Sequence, residues 1–171
     1  MHRKYLGDSY DAVKRLWQQV LKPWAPVYAV CRYIPAEMQH DFTRLTGIEM
    51  DSNVKSGRYS LLNDPDIGIR LPGQADQSER KHITIPTIVE QAHRHHVACV
   101  ITFDQSNYRA HGALSGQRAR KLMALSEAGA PSFYYISHAP FLFTFSSMEA
   151  LSGVRGLLED AGVPETRLAV A

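Results

Sequence analysis

Two apolar runs in this chain stop the same way, on acid. Tyr59 to Asn63 leads into Asp64-Pro65-Asp66-Ile67-Gly68, and Val97 to Phe103 leads into Asp104-Gln105-Ser106. Each run has the length of a strand and is bounded by turn-forming residues. A buried strand that ends this way delivers carboxylates to the rim of a sheet. Ligands of open α/β sheets bind beyond the carboxyl ends of the strands. The two strand ends therefore constrain both the fold and the place where a site is expected.

The rest of the chain alternates helix and strand. Tyr10, Val13, Leu16, Trp17, Val20 and Leu21 recur at helical spacing, with Asp8 or Ser9 as cap and Pro23 as stop. Val27 to Ile34 reads as a first core strand. Ala36 to Thr46 reads as a helix stopped by Gly47, and Ile48 to Met50 as a brief strand. Residues 67–83 are mostly polar and read as a loop. A helix begins at Thr84 or Ile85 with Pro86 in its first turn. Asn107 to Gly116 reads as a second loop, and Gln117 to Ala128 as a helix stopped by Gly129. Phe133 to Ile136 and Phe141 to Phe145 are closely joined strands. Ser146 and Glu149 form a capping-box pair for a helix to Ala161, and Leu168 to Val170 adds an edge strand. This alternation predicts a three-layer α/β fold. Its sheet is mainly parallel, with an antiparallel strand near the C-terminal edge.

At 171 residues the chain is long enough for one domain with a full core, and residues 1–171 read as a single α/β domain. A net charge of +2 does not by itself call for a nucleic acid or a membrane surface. No apolar run approaches the ~20 residues that cross a bilayer. The basic start, Met1 to Lys4, leads into Gly7-Asp8-Ser9 rather than an apolar segment, so no signal peptide is expected. Cys31 and Cys99 sit in apolar runs and read as buried free thiols of a cytoplasmic protein.

The acids carry the chemical expectation. Asp64, Asp66 and Asp104 with an imidazole would suit a hard divalent cation, Mg²⁺ or Mn²⁺, able to polarise a phosphoryl oxygen. The plain alternative is a turn, since Asn, Asp, Pro and Gly all form turns. Asp104 could also act as a base. His138, just past a strand, could shuttle a proton or sit structurally in a tight turn. Lys14 or Arg109 could hold a phosphate. Asp8 and Asp11 stand near the start of the first helix, where they face a ligand or simply cap and charge the helix end. Ser106 is expected to contact substrate. No Gly-x-Ser-x-Gly elbow surrounds it, so its sequence does not announce a nucleophile. His93, His95 and His96 close a helix rather than share a metal-binding face. Arg118, Arg120 and Lys121 either track a phosphate backbone or form a solvated helix face.

Taken together, Gly7-Asp8-Ser9-Tyr10-Asp11 with Lys14, Asp64-Pro65-Asp66-Ile67-Gly68-Ile69, Phe103-Asp104-Gln105-Ser106 and Ser137-His138 resemble a family of bacterial proteins with no established activity. Gly7, Asp8, Asp11 and Lys14, with Asp64-Pro65, are also similar to motifs of Rossmann-like adenine methyltransferases that act on ribosomal RNA. That resemblance implies a Rossmann-like fold. It does not favour S-adenosylmethionine. Asp66 and Ile67 replace the second proline and the aromatic residue of the family motif, and Pro35-Ala36-Glu37 replaces a glycine-rich turn. The expectation is a metal-dependent phosphoesterase or nuclease, with a nucleic acid or nucleotide as partner. The alternatives are a degenerate methyltransferase-like protein and a non-catalytic binding protein.

Overall fold

The computed structural model describes residues 5–71, 81–108 and 114–170. The first helix, α1 (Ser9–Leu21), starts where the Asp8 carboxylate accepts the Tyr10 and Asp11 N–H groups. Its buried stripe is Asp11, Lys14, Trp17 and Leu21, so two charged residues occupy positions that face the core. Strand β1 (Val27–Ala29) is shorter than the expected Val27 to Ile34. The Cys31 N–H leaves the ladder for Asp51 Oδ1 at 3.0 Å, and Cys31–Tyr33 coils into a 3-10 turn. A side-chain acceptor has here displaced sheet pairing. A second 3-10 turn, Ala36–Met38, precedes α2 (Gln39–Thr46), which ends at Gly47 with φ +73°.

Strands β2 (Glu49–Met50) and β3 (Tyr59–Asn63) follow. The segment expected as loop over 67–83 contains β4 (Gly68–Arg70) and β5 (His82–Thr84), which pair in parallel as a separate ribbon. Ile69 and Ile83 are buried on it, which gives these short strands their reason to form. Then come α3 (Ile85–Ala92), β6 (Val97–Phe103), α4 (Leu114–Glu127), β7 (Ser132–Tyr135) and β8 (Phe141–Thr144). Helix α5 (Met148–Asp160) is capped by Ser147, one residue later than the Ser146 expected, and β9 (Leu168–Ala169) closes the sheet.

The main sheet has the order β2-β1-β3-β6-β8-β7-β9. β2, β1, β3 and β6 run parallel side by side. β8 runs against both β6 and β7, and β9 against β7. The sheet is therefore mostly parallel in strand direction, with antiparallel strands on the C-terminal side.

Helices cover both faces. One face is an aromatic core against α1, α2 and α5, including Trp17, Phe42, Phe103, Phe133, Phe141, Phe143 and Leu158. Trp17 meets the rings of Tyr135 and Phe143 edge-on at 4.9 and 5.3 Å between centroids. The other face is mainly aliphatic, with Leu61, Ile88, Val100, Leu122 and Leu125 against α3 and α4. Cys31 and Cys99 are free thiols, and burial pushes the Cys99 thiol well above its ordinary range. Among the described residues no helix is long and apolar enough to cross a membrane.

Candidate functional site

Asp64 and Asp104 follow neighbouring parallel strands, as expected, but they point to opposite faces of the sheet. Asn63 is level with Thr102 and Leu62 with Ile101 in the β3–β6 ladder. Asp64 thus stands level with Phe103, and Asp104 lies one residue further on. Side chains alternate faces along a strand, so a one-residue offset reverses the direction. Phe103 belongs to the aromatic face, and Asp64 with it. Asp104 shares the aliphatic face with Tyr134 and Leu142.

On the aromatic face, the Lys14 ammonium donates to Asp64 Oδ2 at 2.8 Å and to Asp11 Oδ1 at 3.0 Å. All three residues are buried. The ammonium also lies 5.6 Å from the Phe42 ring centroid and 5.7 Å from that of Phe103. Burial alone would push Lys14 down. Asp64 and Asp11 outweigh it and hold the ammonium above the usual lysine value.

Asp11 Oδ2 takes the Gly7 N–H at 2.7 Å, and Asp8 Oδ1 takes those of Tyr10 and Asp11. This corrects three expectations. Lys14 does not reach a phosphate, because its ammonium is held between two carboxylates. Asp8 and Asp11 are engaged in capping and tethering the start of α1 rather than presented to substrate. His138 is exposed, with Nε2 3.2 Å from Ser9 Oγ and its ring 5.6 Å from Tyr10. It stands over the start of α1, away from Asp104.

On the aliphatic face Asp104 is the centre of a polar knot. Its Oδ2 accepts from the Lys121 ammonium at 2.6 Å and the Tyr134 hydroxyl at 2.7 Å. Its Oδ1 accepts the Ile69 N–H at 3.0 Å, the Ser106 N–H at 3.3 Å and the Ser106 hydroxyl. Lys121 Nζ also donates to Ser106 Oγ at 2.6 Å. Burial alone would raise the Asp104 carboxyl. The Lys121 charge and the hydrogen bonds from Lys121, Ser106 and Ile69 bring it below the usual carboxylate value. Lys121 is also lowered: burial and the neighbouring Arg118 charge outweigh the pull of Asp104.

Gly68 makes this contact possible. Its φ is +125°, and a Cβ there would overlap Asp104 Oδ1 and come within 2.9 Å of Asp104 Cα. Beside the knot, Asn63 and Gln91 exchange amide hydrogen bonds at 2.7 and 3.2 Å, and Asn63 reaches Thr102 Oγ1 at 3.3 Å.

The three acids therefore do not fit one divalent cation. Asp64 and Asp104 lie on opposite sides of the sheet, and each already holds an ammonium. Asp66 is half-buried beside β4. Among the described residues no three His, Cys, Asp or Glu side chains are placed to hold a metal ion. Arg109 lies outside the described residues.

The sequence offered Lys121 either as a phosphate-tracking residue or as part of a solvated helix face, and both readings put it outward, yet it is 1 % exposed. The missed signal is spacing. Arg118, Lys121, Leu122 and Leu125 fall at i, i+3, i+4 and i+7, which makes Lys121 a member of the inward stripe. Arg118 is half-buried, its guanidinium carbon is 5.8 Å from the Tyr134 ring centroid, and its buried Nε has no hydrogen-bond partner among the described residues. A buried unpaired donor is costly.

Chemically, the knot holds one hydroxyl between a carboxylate that accepts and an ammonium that donates. A second cationic side chain, Arg118, has a donor left over. Compared with protein-family models, curated proteins and solved structures, the chain matches none.

Proposed function

We propose that this protein is a Rossmann-like phosphoester hydrolase. Its site is the Asp104–Ser106–Lys121–Arg118 cluster, and no metal ion bridges Asp64 to Asp104. The observation that carries the reading is the buried Nε of Arg118, without a partner among the described residues, on the same helix as Lys121, whose ammonium touches the half-buried Ser106 hydroxyl. A phosphoryl oxygen would satisfy that donor, and a guanidinium matches phosphate geometry better than an ammonium does. Arg118 and Ser106 would touch the substrate. Asp104 and Lys121 are buried and act on the Ser106 hydroxyl, Asp104 as its hydrogen-bond acceptor and Lys121 as the charge beside it. A nucleotide or a nucleic acid is the partner class that this phosphate chemistry supports.

The test is turnover of p-nitrophenyl phosphate and bis(p-nitrophenyl) phosphate in excess EDTA. Activity that survives EDTA and falls in Arg118→Gln is the expected result. A melting temperature that Mn²⁺ raises in the wild type but not in Asp64→Ala, with activity lost in EDTA, would restore a metal centre at Asp64 and reject this reading.

A further inference from the structure

We infer that Ser106 is a covalent nucleophile that forms a phosphoseryl intermediate. The inference rests on the hydrolase reading above and deepens it. The Ser106 hydroxyl donates to Asp104 Oδ1 and accepts from the Lys121 ammonium at 2.6 Å. Free serine is a weak nucleophile, and activation needs a proton acceptor and stabilisation of the developing alkoxide. Both are in place on one atom. Asp104 is held in its acceptor form, and the Lys121 charge sits against Oγ, where negative charge develops.

The hydroxyl is also pinned in direction. It approaches the Ile69 carbonyl oxygen to 3.2 Å, and Gly68 admits the Ile69 N–H to the same carboxylate. A hydroxyl used only to cap the 3-10 turn Gln105–Tyr108 would not need a buried ammonium at 2.6 Å.

In the first step the Oγ–P bond forms while the bond from phosphorus to the leaving oxygen breaks. The Ser106 proton passes to Asp104 Oδ1. The leaving oxygen departs as p-nitrophenolate, or takes a proton from water when the leaving group is more basic. In the second step a water oxygen bonds to phosphorus and the P–Oγ bond breaks; one water proton stays on the phosphate and the other passes to solvent, where it balances the anion released in the first step. Asp104 returns its proton to Oγ. No oxidant or reductant enters.

The experiment uses the full chain in EDTA, with phosphate esters of graded leaving-group basicity and glycerol as a competing acceptor. The expected result is turnover that falls to the blank rate in Ser106→Ala. The ratio of glycerol phosphate to free phosphate should stay constant across leaving groups. Acid-quenched peptides should carry a phosphoryl group on Ser106. Ser106→Thr, which keeps the hydroxyl, should recover part of the turnover, so a folding defect in the alanine variant cannot imitate the result.

Turnover that persists in Ser106→Ala would overturn the nucleophile and leave the hydrolase reading standing. So would Ser106-dependent turnover with neither an adduct nor a constant partition ratio. No turnover, together with no rise in melting temperature on adding inorganic phosphate, would overturn both.

Discussion

The molecule buries two aspartate–lysine pairs at the carboxyl ends of neighbouring strands, and their lysines are driven in opposite directions. Lys14 lies between Asp64 and Asp11 with aromatic rings around it, and it is held above the usual lysine value. Lys121 has Asp104 on one side and Arg118 nearby, and it is held below. The difference is the second neighbour: a carboxylate in one case, a cation in the other. A lysine with two carboxylates acts as a fixed bolt between α1 and β3. Under the hydrolase proposal, Lys121 bears on the Ser106 hydroxyl, so the same kind of residue pair serves structure on one face and chemistry on the other.

The strongest way to break this comparison is to remove one lysine at a time. Lys14→Met leaves Asp11 and Asp64 buried without a cation, and should cost about 5 kcal/mol, the upper end for a broken buried pair. Asp64→Asn should cost less, because Asp11 still meets the ammonium. Urea melts of the two variants check the order. Lys121→Met leaves Asp104 the Tyr134, Ser106 and Ile69 donors, so its cost should be nearer about 3 kcal/mol, and it should abolish phosphoester turnover. Equal losses of turnover in Lys14→Met and Lys121→Met, measured well below both melting transitions, would erase the distinction.

Gly68→Ala comes next. The new Cβ meets Asp104, and the positive φ adds strain, for a cost of about 1–3 kcal/mol with displacement of Ser106. Thermal melts and turnover of that variant check both halves.

The pH dependence separates the lysines by sign. Lys121 unfolds to a value near 10.5 from a lower folded one, so between the two the unfolded chain binds more protons and stability rises with pH. Lys14 has the higher folded value. Its contribution is complete below 10.5 and is lost as pH rises through that folded value. At the acid end Asp104 contributes stability above its unfolded value of 3.8, lost as pH falls toward the lower folded one. Stability against pH, compared among wild type, Lys14→Met and Lys121→Met, should show the alkaline slopes change in opposite directions.

The smallest effect on folding is expected from Arg118→Gln. The side chain is half-buried and its Nε makes no hydrogen bond among the described residues, so the change should stay within about 1 kcal/mol. It removes the cation beside Lys121, so the alkaline limb of the activity profile should move upward while phosphate binding weakens.

Much of the architecture was legible in the residues. The apolar run Val97 to Phe103 is β6 over its full length, and Pro86 and Gly47 mark a helix start and a helix end as read. β4 and β5 were not legible, because three-residue strands carry too little period to stand out in a polar stretch. The 3-10 turn after β1 depends on Asp51, some twenty residues away, and no local pattern announces that acceptor.

For the site, Asp104 and Ser106 were visible as a strand end. Lys121 was written off as part of a basic helix face, although its spacing with Leu122 and Leu125 placed it inward. Tyr134 reads as one more aromatic of an apolar strand until its hydroxyl is seen on Asp104.

Local pattern in the chain marks the ends of β3 and β6 and shows that both stop on acid. It also set the caps and breaks that make α/β alternation the economical fold. That the acids part company follows from long-range pairing. Direction alternates with every residue of a strand, and the register of β3 on β6, fixed by pairing across some forty positions of chain, set Asp64 and Asp104 one step out of phase.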